Sequence, residues 1–400
     1  MANGLKNIKT IRDFAIEGKT VFLRLDLNVP LENGVISDET RITASLPTVK
    51  YCMENGAKVV MASHLGRPKS ADDKEFSLEP VAKRMSELLN ADVILAEDPT
   101  SDAIKHILMG LKKNQLVLLE NVRFEPGETK NSEEFAHQLA SYTDIYINDA
   151  FGASHRAHAT IHALPQMIQQ KGIGFLIEKE IQMLDQLLEN PKRPYIAVMG
   201  GAKVSDKIAV IEKLMDIVDG FIIGGAMAYT FLKAQGHAVG KSLVEADRVR
   251  YARELIARIE ARDKSILLPV DHVVSTGLTD KKARTTTGVQ IDEGDMGLDI
   301  GPKTLQQYRA ALNEAGTIFW NGPMGVFETA EFSKGTFGLA EVIAHSSAVK
   351  VVGGGDSAAA AEASGFAAQM THISTGGGAS LEYLQGDRLP GLEVLRNKRG

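Results

Sequence analysis

The sequence predicts two α/β domains, each built on a parallel β-sheet that helices cover on both faces. Three observations predict this class: the length of 400 residues, the alternation of strand-like and helix-like segments along most of the chain, and ten strand-like apolar runs. At roughly 150 residues per domain, this length allows two or three domains. Regular alternation is typical of parallel sheets between helices. Ten strands are too many for one core, so two domains are favoured.

The apolar runs give the strands in order. They are Val21–Leu25, Lys58–Met61, Asp92–Leu95, Leu116–Leu119 and Asp144–Ile147 in the first half, and Tyr195–Met199, Gly220–Ile223, Ser265–Leu268, Thr317–Phe319 and Lys350–Val352 in the second. Helical patterns such as Leu78–Leu89 and Ser132–Ser141 lie between them. Each half therefore predicts its own parallel sheet.

A long helical pattern marks the domain boundary. Ile173–Leu188 is amphipathic with mixed charge, and Glu189, Asn190 and Pro191 end it. The glycine run in STGGGAS, Ser374–Ser380, permits large backbone changes and is a candidate hinge. We therefore expect a first domain over 1–172, an interdomain helix over 173–190, a second domain over 191–379 and a tail over 380–400 that packs back on the first domain.

Composition narrows the class of protein. Hydrophobic residues make up 44% and charged residues 24%, as in ordinary globular proteins. The net charge of −6 provides no bulk attraction to nucleic acid or to an anionic membrane, so neither partner is expected. The amino terminus lacks a signal-peptide pattern, and no apolar run reaches the roughly 20 residues that span a bilayer. The single cysteine, Cys52, fits a buried position better than a catalytic thiol. We expect a cytoplasmic enzyme.

Basic side chains follow several predicted strands of the first half. With the polar residues after the first strand, the candidates are Asp26, Asn28, Arg41, His64, Arg67, Arg123 and Arg156. Ligands of open α/β sheets bind at the carboxyl ends of the strands, so these side chains can converge on one crevice. Arginine binds phosphate and carboxylate in bidentate fashion. The pattern predicts a small, strongly anionic substrate.

Glycine-rich turns follow predicted strands of the second half. Gly200 and Gly201 precede Lys203 and Lys207, which lie one helical turn apart and so share a face. Glycine lets the backbone approach a ligand closely. This turn therefore predicts close contact with a ligand.

Two further turns complete the pattern. The strand ending at Val352 runs into GGGDS, where free helix N–H groups favour an anion. Asp356 in that turn either caps the helix or holds a cation such as Mg²⁺. The turn WNGPMGVFE supplies Asn321 and Glu328 as candidates for phosphate and ribose contacts. Together the three turns predict a nucleotide site.

Several alternatives fit less well. GHAVGKS has one residue too few between its glycines for a phosphate-binding loop and follows a helical pattern, so a helix cap and surface loop is expected. His155, His158 and His162 lack a further metal ligand nearby, which favours polar loop packing over zinc. No GxGxxG follows a strand, which weakens a nicotinamide-dependent dehydrogenase. A non-catalytic nucleotide-binding protein remains open, since fold alone does not settle function.

The sequence resembles the phosphoglycerate kinase family. Ten strings closely resemble its signature segments, in the family's order: RLDLNVP, SHLGRPK, ENVRF, AFGASHRAHAT, GGAKVSDKI, GGAMAYTFLKA, LDIGP, WNGPMGVFE, GGGDS and STGGGAS. The length and compact loops are similar to the bacterial form. Ten ordered segments are far more specific than one short motif.

The resemblance implies two Rossmann-like domains facing each other across a cleft, and a monomer. It implies glycolytic, reversible phosphoryl transfer from 1,3-bisphosphoglycerate to ADP, giving 3-phosphoglycerate and ATP by hinge-bending domain closure. The implied substrate-binding residues are Asp26, Asn28, Arg41, His64, Arg67, Arg123 and Arg156. The implied nucleotide-binding residues are Lys203, Lys207, Gly297, Asn321, Glu328, Gly354, Gly355, Asp356 and Ser357, with Asp356 as the Mg²⁺ ligand.

The chemistry needs charge neutralisation more than a base. The acceptor toward ATP is a carboxylate of 3-phosphoglycerate, and a carboxylic acid of pKa near roughly 4 is ionised at neutral pH. We hypothesise that Arg41 and Lys203 clamp the transferring group and that the N–H groups of Gly376 and Gly377 assist, as positioning and electrostatics dominate phosphoryl transfer.

Overall fold

The structure is a computed structural model that describes residues 4–280 and 282–396. The chain folds into two compact units. The amino-terminal unit runs as far as Gln182 and resumes from Asp387, and the carboxy-terminal unit is Met183–Gly386. Among the described residues, no helix combines the length and apolar character needed to cross a membrane.

The elements alternate as expected. The strands are β1 (Thr20–Leu25), β2 (Leu31–Glu32), β3 (Val35–Ile36), β4 (Lys58–Ala62), β5 (Asp92–Ala96), β6 (Gln115–Leu119), β7 (Ile145–Asp149), β8 (Gln170–Ile173), β9 (Tyr195–Met199), β10 (Gly220–Ile223), β11 (Ser265–Leu267), β12 (His272–Ser275), β13 (Arg284–Thr285), β14 (Met296–Ile300), β15 (Thr317–Asn321), β16 (Val349–Val352) and β17 (His372–Ile373). The α-helices are α1 (Thr40–Glu54), α2 (Glu79–Leu89), α3 (Ala103–Gly110), α4 (Pro126–Thr129), α5 (Glu133–Ala140), α6 (Leu164–Met167), α7 (Phe175–Glu189), α8 (Ile208–Leu214), α9 (Met227–Ala234), α10 (Val249–Glu260), α11 (Pro302–Asn313), α12 (Lys334–His345), α13 (Gly355–Ala363), α14 (Gly378–Gln385) and α15 (Pro390–Glu393). Short 3₁₀ turns cover Ile11–Asp13, Lys74–Phe76, Val122–Phe124, Phe151–Ala153, Ala246–Arg248, Ala330–Phe332 and Ala367–Gln369, and one π-helical turn covers Ala159–Ala163.

The ten predicted strands are all present, with ends that differ by at most two residues. In the amino-terminal unit they form a six-stranded sheet of order β5-β6-β4-β1-β7-β8 in which every pair is parallel. Strand β1 is central, and Leu23 lies opposite Met61 on β4 and Ile147 on β7. Nearly every residue of β1 and β7 is buried, because helices cover both faces of the sheet.

The carboxy-terminal unit repeats this plan. Its main sheet has the order β11-β10-β9-β15-β16-β17, again with parallel pairs throughout. A small antiparallel sheet of order β13-β12-β14 was not predicted, nor were the edge strands β8 and β17. Trp320, fully buried on β15, lies in a core with Ile318, Tyr308 and Leu339. The prediction of parallel sheets flanked by helices is confirmed.

Both main sheets reverse the direction of strand addition beside a central strand. The chain adds strands on one side of β1 before it reaches β7 on the other, and on one side of β9 before it reaches β15 on the other. Ligands of open α/β sheets bind at such switch points, outside the carboxyl ends of the strands. The residues after β1 and β7, and those after β9 and β15, are therefore where a site is expected.

Candidate functional site

The turn after β1 holds an arginine of the next helix. Arg41 Nη1 lies 2.7 Å from Asp26 Oδ2, and the Arg41 side chain keeps 31% of its surface exposed. Arg41 is the second residue of α1. A cation is unfavourable there because the helix dipole is positive at its amino end. The Asp26 carboxylate offsets this cost and keeps the guanidinium at the sheet edge.

The SHLGRP loop is fixed by residues from two other strand ends. The Asn28 side-chain oxygen accepts a hydrogen bond of 2.7 Å from the Gly66 N–H, and Arg123 Nη1 donates to the Gly66 carbonyl at 2.6 Å. The φ of Gly66 is +59°, and a Cβ there would lie 2.3 Å from the Phe76 ring. Only glycine fits this position, so the loop places its neighbours reproducibly.

Beneath these residues lies a buried ion network that the sequence analysis missed. Arg24 is fully buried on β1; its Nε donates to Thr160 Oγ1 at 2.8 Å, and Nη2 lies 3.3 Å from His64 Nδ1. The Glu128 carboxylate accepts from the Thr160 N–H and hydroxyl at 2.8 and 2.7 Å and lies 3.9 Å from Arg24. Burial raises the pKa of Glu128, while Arg24 and Thr160 oppose that rise. The network holds the buried positive charge of Arg24 next to His64.

The electrostatics show that the predicted cations converge. The pKa of His64 is well below its usual range because the ring is buried and because four arginines face it: Arg24, Arg123, Arg41 and Arg156. Burial, followed by the charges of Arg156 and Arg24, lowers the pKa of Arg123 to about 10. Burial and the same arginine field lower the pKa of His158 to about 4. Such mutual effects require short separations.

Arg67, Arg123 and Arg156 border a cavity of about 570 Å³. Its basic lining residues are Arg67, Lys69, Arg123, Lys130, Arg156 and His158. Arg156 Nε also lies 3.1 Å from His155 Nε2. We call the cluster of Arg24, Arg41, His64, Arg67, Arg123 and Arg156 the cationic patch. Its charge suits a small ligand that carries several negative charges.

In the carboxy-terminal unit the corresponding position is built from backbone. The Gly200 N–H donates to the Asn321 carbonyl and the Gly201 N–H to the Pro323 carbonyl, both at 2.9 Å. A Cβ on Gly200 would lie 2.2 Å from the Pro323 oxygen, and one on Gly322 would lie 2.2 Å from the Gly200 oxygen. The turns after β9 and β15 touch directly, so glycine is required on both sides.

Lys207 joins these turns to the one after β16. Its Nζ donates to the Asn321 side-chain oxygen, and Asn321 Nδ2 donates to the Gly353 carbonyl at 2.5 Å. Burial lowers the pKa of Lys207, while Asp206 and Asp356 oppose that effect. The Gly322 N–H donates to Ser357 Oγ at 2.5 Å. Three predicted turns are thus locked together by polar contacts.

The turn after β16 opens helix α13. Gly354 has φ +92°, and a Cβ there would lie 2.7 Å from Asn321 Nδ2. Asp356 is exposed in the first turn of α13 and, within residues 4–280 and 282–396, makes no hydrogen bond or ion pair, so it does not cap the helix. The first-turn N–H groups and this carboxylate are therefore available to a ligand.

A second cavity, of about 420 Å³, lies beside these turns. Predicted residues Gly297, Glu328 and Asp356 line it, together with Gly201, Gly225, Tyr229 and Met324. A Cβ on Gly297 would lie 2.1 Å from the Tyr229 hydroxyl, so a larger residue would displace the wall. Apolar walls beside glycine turns suit a planar base next to phosphates.

Three predicted catalytic positions lie apart from this cavity. Lys203 is exposed and close enough to Glu245 to lower the pKa of that carboxyl. The Gly376 N–H donates to Ser374 Oγ at 3.1 Å, and Gly377, with φ +53°, precedes α14. Neither glycine nor Lys203 lines either ligand cavity described above.

The motifs set aside in the sequence lie after a helix end and around a short π-helical turn. GHAVGKS follows α9; Gly236 has φ +90° just after that helix, and Gly240 has φ +52°. His162 contacts Asn131 and Gln166, whereas His158 lies 4.0 Å from Glu128. Among the described residues, no group of three or more His, Cys, Asp or Glu side chains forms a metal site.

Arg24 had a signal in the sequence that could have revealed it. It stands within the apolar run VFLRL of a predicted buried strand, where arginine is almost never found without a partner. Its partners Glu128 and Thr160 lie more than a hundred residues away along the chain. The anomaly was visible, but its resolution required the fold.

The comparisons with known proteins agree with one another. The family model described as phosphoglycerate kinase matches residues 11–387. The chain is 74% identical over 399 residues to the phosphoglycerate kinase of Bdellovibrio bacteriovorus, covering 100% of both chains. It is 53% identical to that of Anaeromyxobacter sp., covering 97% of this chain and 99% of the relative. The solved phosphoglycerate kinase of Coxiella burnetii is 40% identical, with TM-score 0.87 and coverage of 97% and 98%. That of Pyrococcus horikoshii is 35% identical, with TM-score 0.84 and coverage of 96% and 98%.

Proposed function

The chain belongs to the phosphoglycerate kinase family, and from that premise we propose which of its residues bind each substrate and carry the transfer. The reaction is the glycolytic, reversible transfer of a phosphoryl group from 1,3-bisphosphoglycerate to ADP, giving 3-phosphoglycerate and ATP. The chain is thus an ATP-dependent phosphotransferase whose acceptor is a carboxyl group.

We assign 3-phosphoglycerate to the amino-terminal unit. The single observation that supports this most strongly is the cationic patch, in which burial and the neighbouring arginines lower the pKa values of His64 and Arg123. Arg67, Arg123 and Arg156 would hold the phosphate by bidentate contacts, since all three line one cavity. Asp26 and Asn28 would bind the hydroxyl and carboxyl end, and His64, kept neutral, would donate or accept one hydrogen bond.

We assign the nucleotide to the carboxy-terminal unit. Lys203, Lys207, Asn321, Gly354, Gly355 and Ser357 would contact the phosphates, Glu328 the ribose and Gly297 the region of the base. Lys207 is already hydrogen-bonded to Asn321, and Glu328 and Gly297 line the same cavity, which supports these roles. Glycine N–H groups at a helix start favour phosphate without any change of protonation.

The residues present fit Mg²⁺ bound with the nucleotide. Asp356 offers one exposed carboxylate at the rim of the glycine-lined cavity, and no group of three acidic or imidazole side chains occurs among the described residues. Mg²⁺ usually takes one or two carboxylates plus substrate phosphates, in contrast to an all-protein cage. When bound, the ion would neutralise charge on the phosphate oxygens. Asp356 would hold it.

The transfer needs no general base. The attacking carboxylate is ionised at neutral pH, so the chain's task is to align the groups and neutralise charge. Arg41 now pairs with Asp26, and its partial exposure would let it turn to the transferring group. Lys203, Gly376 and Gly377 would act from the carboxy-terminal unit. Closure of the domains, typical of this fold, would exclude the water that hydrolyses an acyl phosphate.

The wider organisation is also proposed. Helix α7 would serve as the interdomain helix over 173–190, between a substrate domain over 1–172 and a nucleotide domain over 191–379. The tail over 380–400, whose residues 397–400 lie outside the described residues, would pack on the first domain. The hydrogen bond of 2.9 Å from the Gly391 N–H to the Ser154 carbonyl supports that packing. The chain would be cytoplasmic and monomeric, as the resemblance to the family implies.

A coupled assay tests the function. Purified chain, Mg²⁺ and ADP are mixed with 1,3-bisphosphoglycerate, and ATP formation is followed. We expect turnover that disappears when Mg²⁺ is chelated and returns when it is restored. A folded chain that binds ADP but forms no ATP would instead support a non-catalytic nucleotide-binding protein.

A further inference from the structure

The two lysines assigned to the nucleotide stand on one loop. We call residues 200–207 the lysine loop; it joins β9 to α8. Its first half is held by the Gly201 N–H on the Pro323 carbonyl and by the Met227 N–H on the Gly201 carbonyl, at 2.9 and 3.0 Å. Beyond those contacts, Lys203 is exposed and Lys207 reaches Asn321. Between the lysines, the buried side chain of Val204 holds one residue of the loop, and a second anchor holds the next residue.

Glu245 supplies that anchor. Its Oε1 accepts from the Ser205 hydroxyl at 2.6 Å and its Oε2 from the Ser205 N–H at 3.1 Å. The Glu245 N–H in turn donates to Thr230 Oγ1 at 3.1 Å, and Thr230 is buried on α9. One carboxylate thus fixes both the backbone and the side chain of the residue midway between the lysines.

The charge of Glu245 also acts on the loop. Burial alone would raise the pKa of this carboxyl, but hydrogen bonds from Ser205 and Val204 and the charge of Lys203 hold it below its ordinary value. The carboxylate is therefore ionised at neutral pH and lies in the field of an exposed lysine. Glu245 lies outside every motif singled out in the sequence. It follows GHAVGKS, the motif that was set aside, so the sequence alone assigns it no role in the reaction.

We propose that Glu245 is a positioning residue that sets the geometry of the lysine loop, and through it the contacts of Lys203 and Lys207 with nucleotide phosphates. This inference rests on the proposed nucleotide site. Glu245 acts through Ser205 and touches no reacting atom. Because hydrogen bonds to a charged group are strong, losing the anchor lets the two lysines sample positions in which they no longer meet the phosphates together.

Steady-state kinetics of Glu245→Ala test the proposal. Loss of the hydrogen bonds to this carboxylate should raise the nucleotide KM and lower kcat/KM for nucleotide by about tenfold or more. The KM for 3-phosphoglycerate should stay within about twofold, since that substrate binds the other unit. Glu245→Gln keeps one acceptor oxygen and should show an intermediate effect. The matched control is Glu254→Ala, which removes an exposed carboxylate paired with Arg250 on α10.

Ser205→Ala keeps the test decisive should Glu245→Ala fail to fold. It removes the shorter bond alone and should give a smaller effect in the same direction, about threefold. In the Glu245→Ala background, Ser205→Ala should add almost nothing to the rise in nucleotide KM, because both substitutions break the same contact between Ser205 and Glu245. The proposal is overturned if folded Glu245→Ala matches Glu254→Ala, or if both substrate KM values rise equally. A wild-type chain without ATP formation would instead overturn the proposed function.

Discussion

The two main sheets share one strand plan but place different chemical groups at their switch points. After β1, β4, β6 and β7, the amino-terminal unit presents guanidinium groups; after β9, β15 and β16, the carboxy-terminal unit presents glycine backbone. A small anion has few atoms, so several long side chains can surround it. A nucleotide polyphosphate is longer and is bound closely by N–H groups, which requires the absence of Cβ atoms.

Each of the two candidate sites is sensitive to a different kind of substitution. In the cationic patch, burial and the charges of Arg156 and Arg24 lower the pKa of Arg123, and the charges of Glu128 and Asp26 partly offset that effect. The glycine turns leave no room where they pack against each other, since an added Cβ on Gly200 would meet a carbonyl oxygen at 2.2 Å. The first site should therefore be sensitive to charge, and the second to volume and backbone shape.

The largest effect is expected for Arg41→Ala. If its guanidinium neutralises the transferring group, kcat should fall by roughly a hundredfold. Measured turnover in the coupled assay checks this. Arg84→Ala is the matched control, because Arg84 makes surface ion pairs with Glu39 and Glu87 in the same unit. A near-normal rate in Arg41→Ala would remove it from the mechanism.

Lys207→Ala tests charge in the glycine-built site. If its partly buried ammonium contacts phosphate, loss of that group should raise the nucleotide KM by about thirtyfold, with little change in kcat. Titration of velocity against ADP measures both. Lys213→Ala, on the last turn of helix α8, which follows Lys207, should leave the nucleotide KM within about twofold. An effect on kcat alone would contradict a ground-state role.

Gly354→Ala tests volume and backbone shape. The new Cβ would lie 2.7 Å from Asn321 Nδ2, at a residue with φ +92°. Strain and displacement together should weaken nucleotide binding by about tenfold. Gly365→Ala carries similar strain, with φ +79°, but meets nothing within 4 Å. Calorimetric titration with ADP should distinguish the two variants. Equal affinities of both for ADP would show that the close approach of Gly354 to Asn321 is unimportant for nucleotide binding.

The smallest effects concern two buried carboxylates, one in each unit. Burial raises the pKa of Asp149 and of Asp299 to about 7, against hydrogen bonds that oppose the shift. The unfolded chain releases these protons near pH 4, so the folded state holds extra protons between about pH 4 and 7. This stabilisation is complete below about pH 4 and is lost as pH rises through about 7.

Asp149→Asn should therefore flatten the pH dependence of the unfolding free energy by about 1.4 kcal/mol per pH unit between pH 5 and 7. Both backbone bonds to Asp149, from Leu176 and Ile177, end on one oxygen, which the amide can replace. Those to Asp299 end on different oxygens, so Asp299→Asn should also cost about 1 kcal/mol at pH 5. Denaturant titrations measure both, and an unchanged slope in either variant would refute its assigned pKa.

The strands that could be predicted from the sequence are those that a local residue pattern determines. Ten strands were visible because central parallel strands are continuous apolar runs. Strand β8 was not, since Gln170 and Lys171 lie at its exposed end and weaken the pattern. The antiparallel β12 and β14 depend on pairing between residues such as Val273 and Asp299, which no local signal reveals.

The candidate sites divide in the same way. Arg123 and Gly354 follow strand ends and were predicted, because position in an α/β sheet is itself a signal. Arg24 and Glu245 were not, because their roles depend on partners such as Glu128 and Ser205 that are distant along the chain. The sequence pattern identified the residues proposed to contact a ligand. The residues that hold others in place could be identified only from the fold.

The most direct measurement of this division is a two-by-two calorimetric experiment. Arg123→Ala and Lys207→Ala are each titrated with 3-phosphoglycerate alone and with ADP alone. Arg123→Ala should lose about tenfold or more in affinity for 3-phosphoglycerate and keep ADP affinity, while Lys207→Ala should do the reverse. If either variant weakened both ligands equally, the assignment of one substrate to each unit would be contradicted.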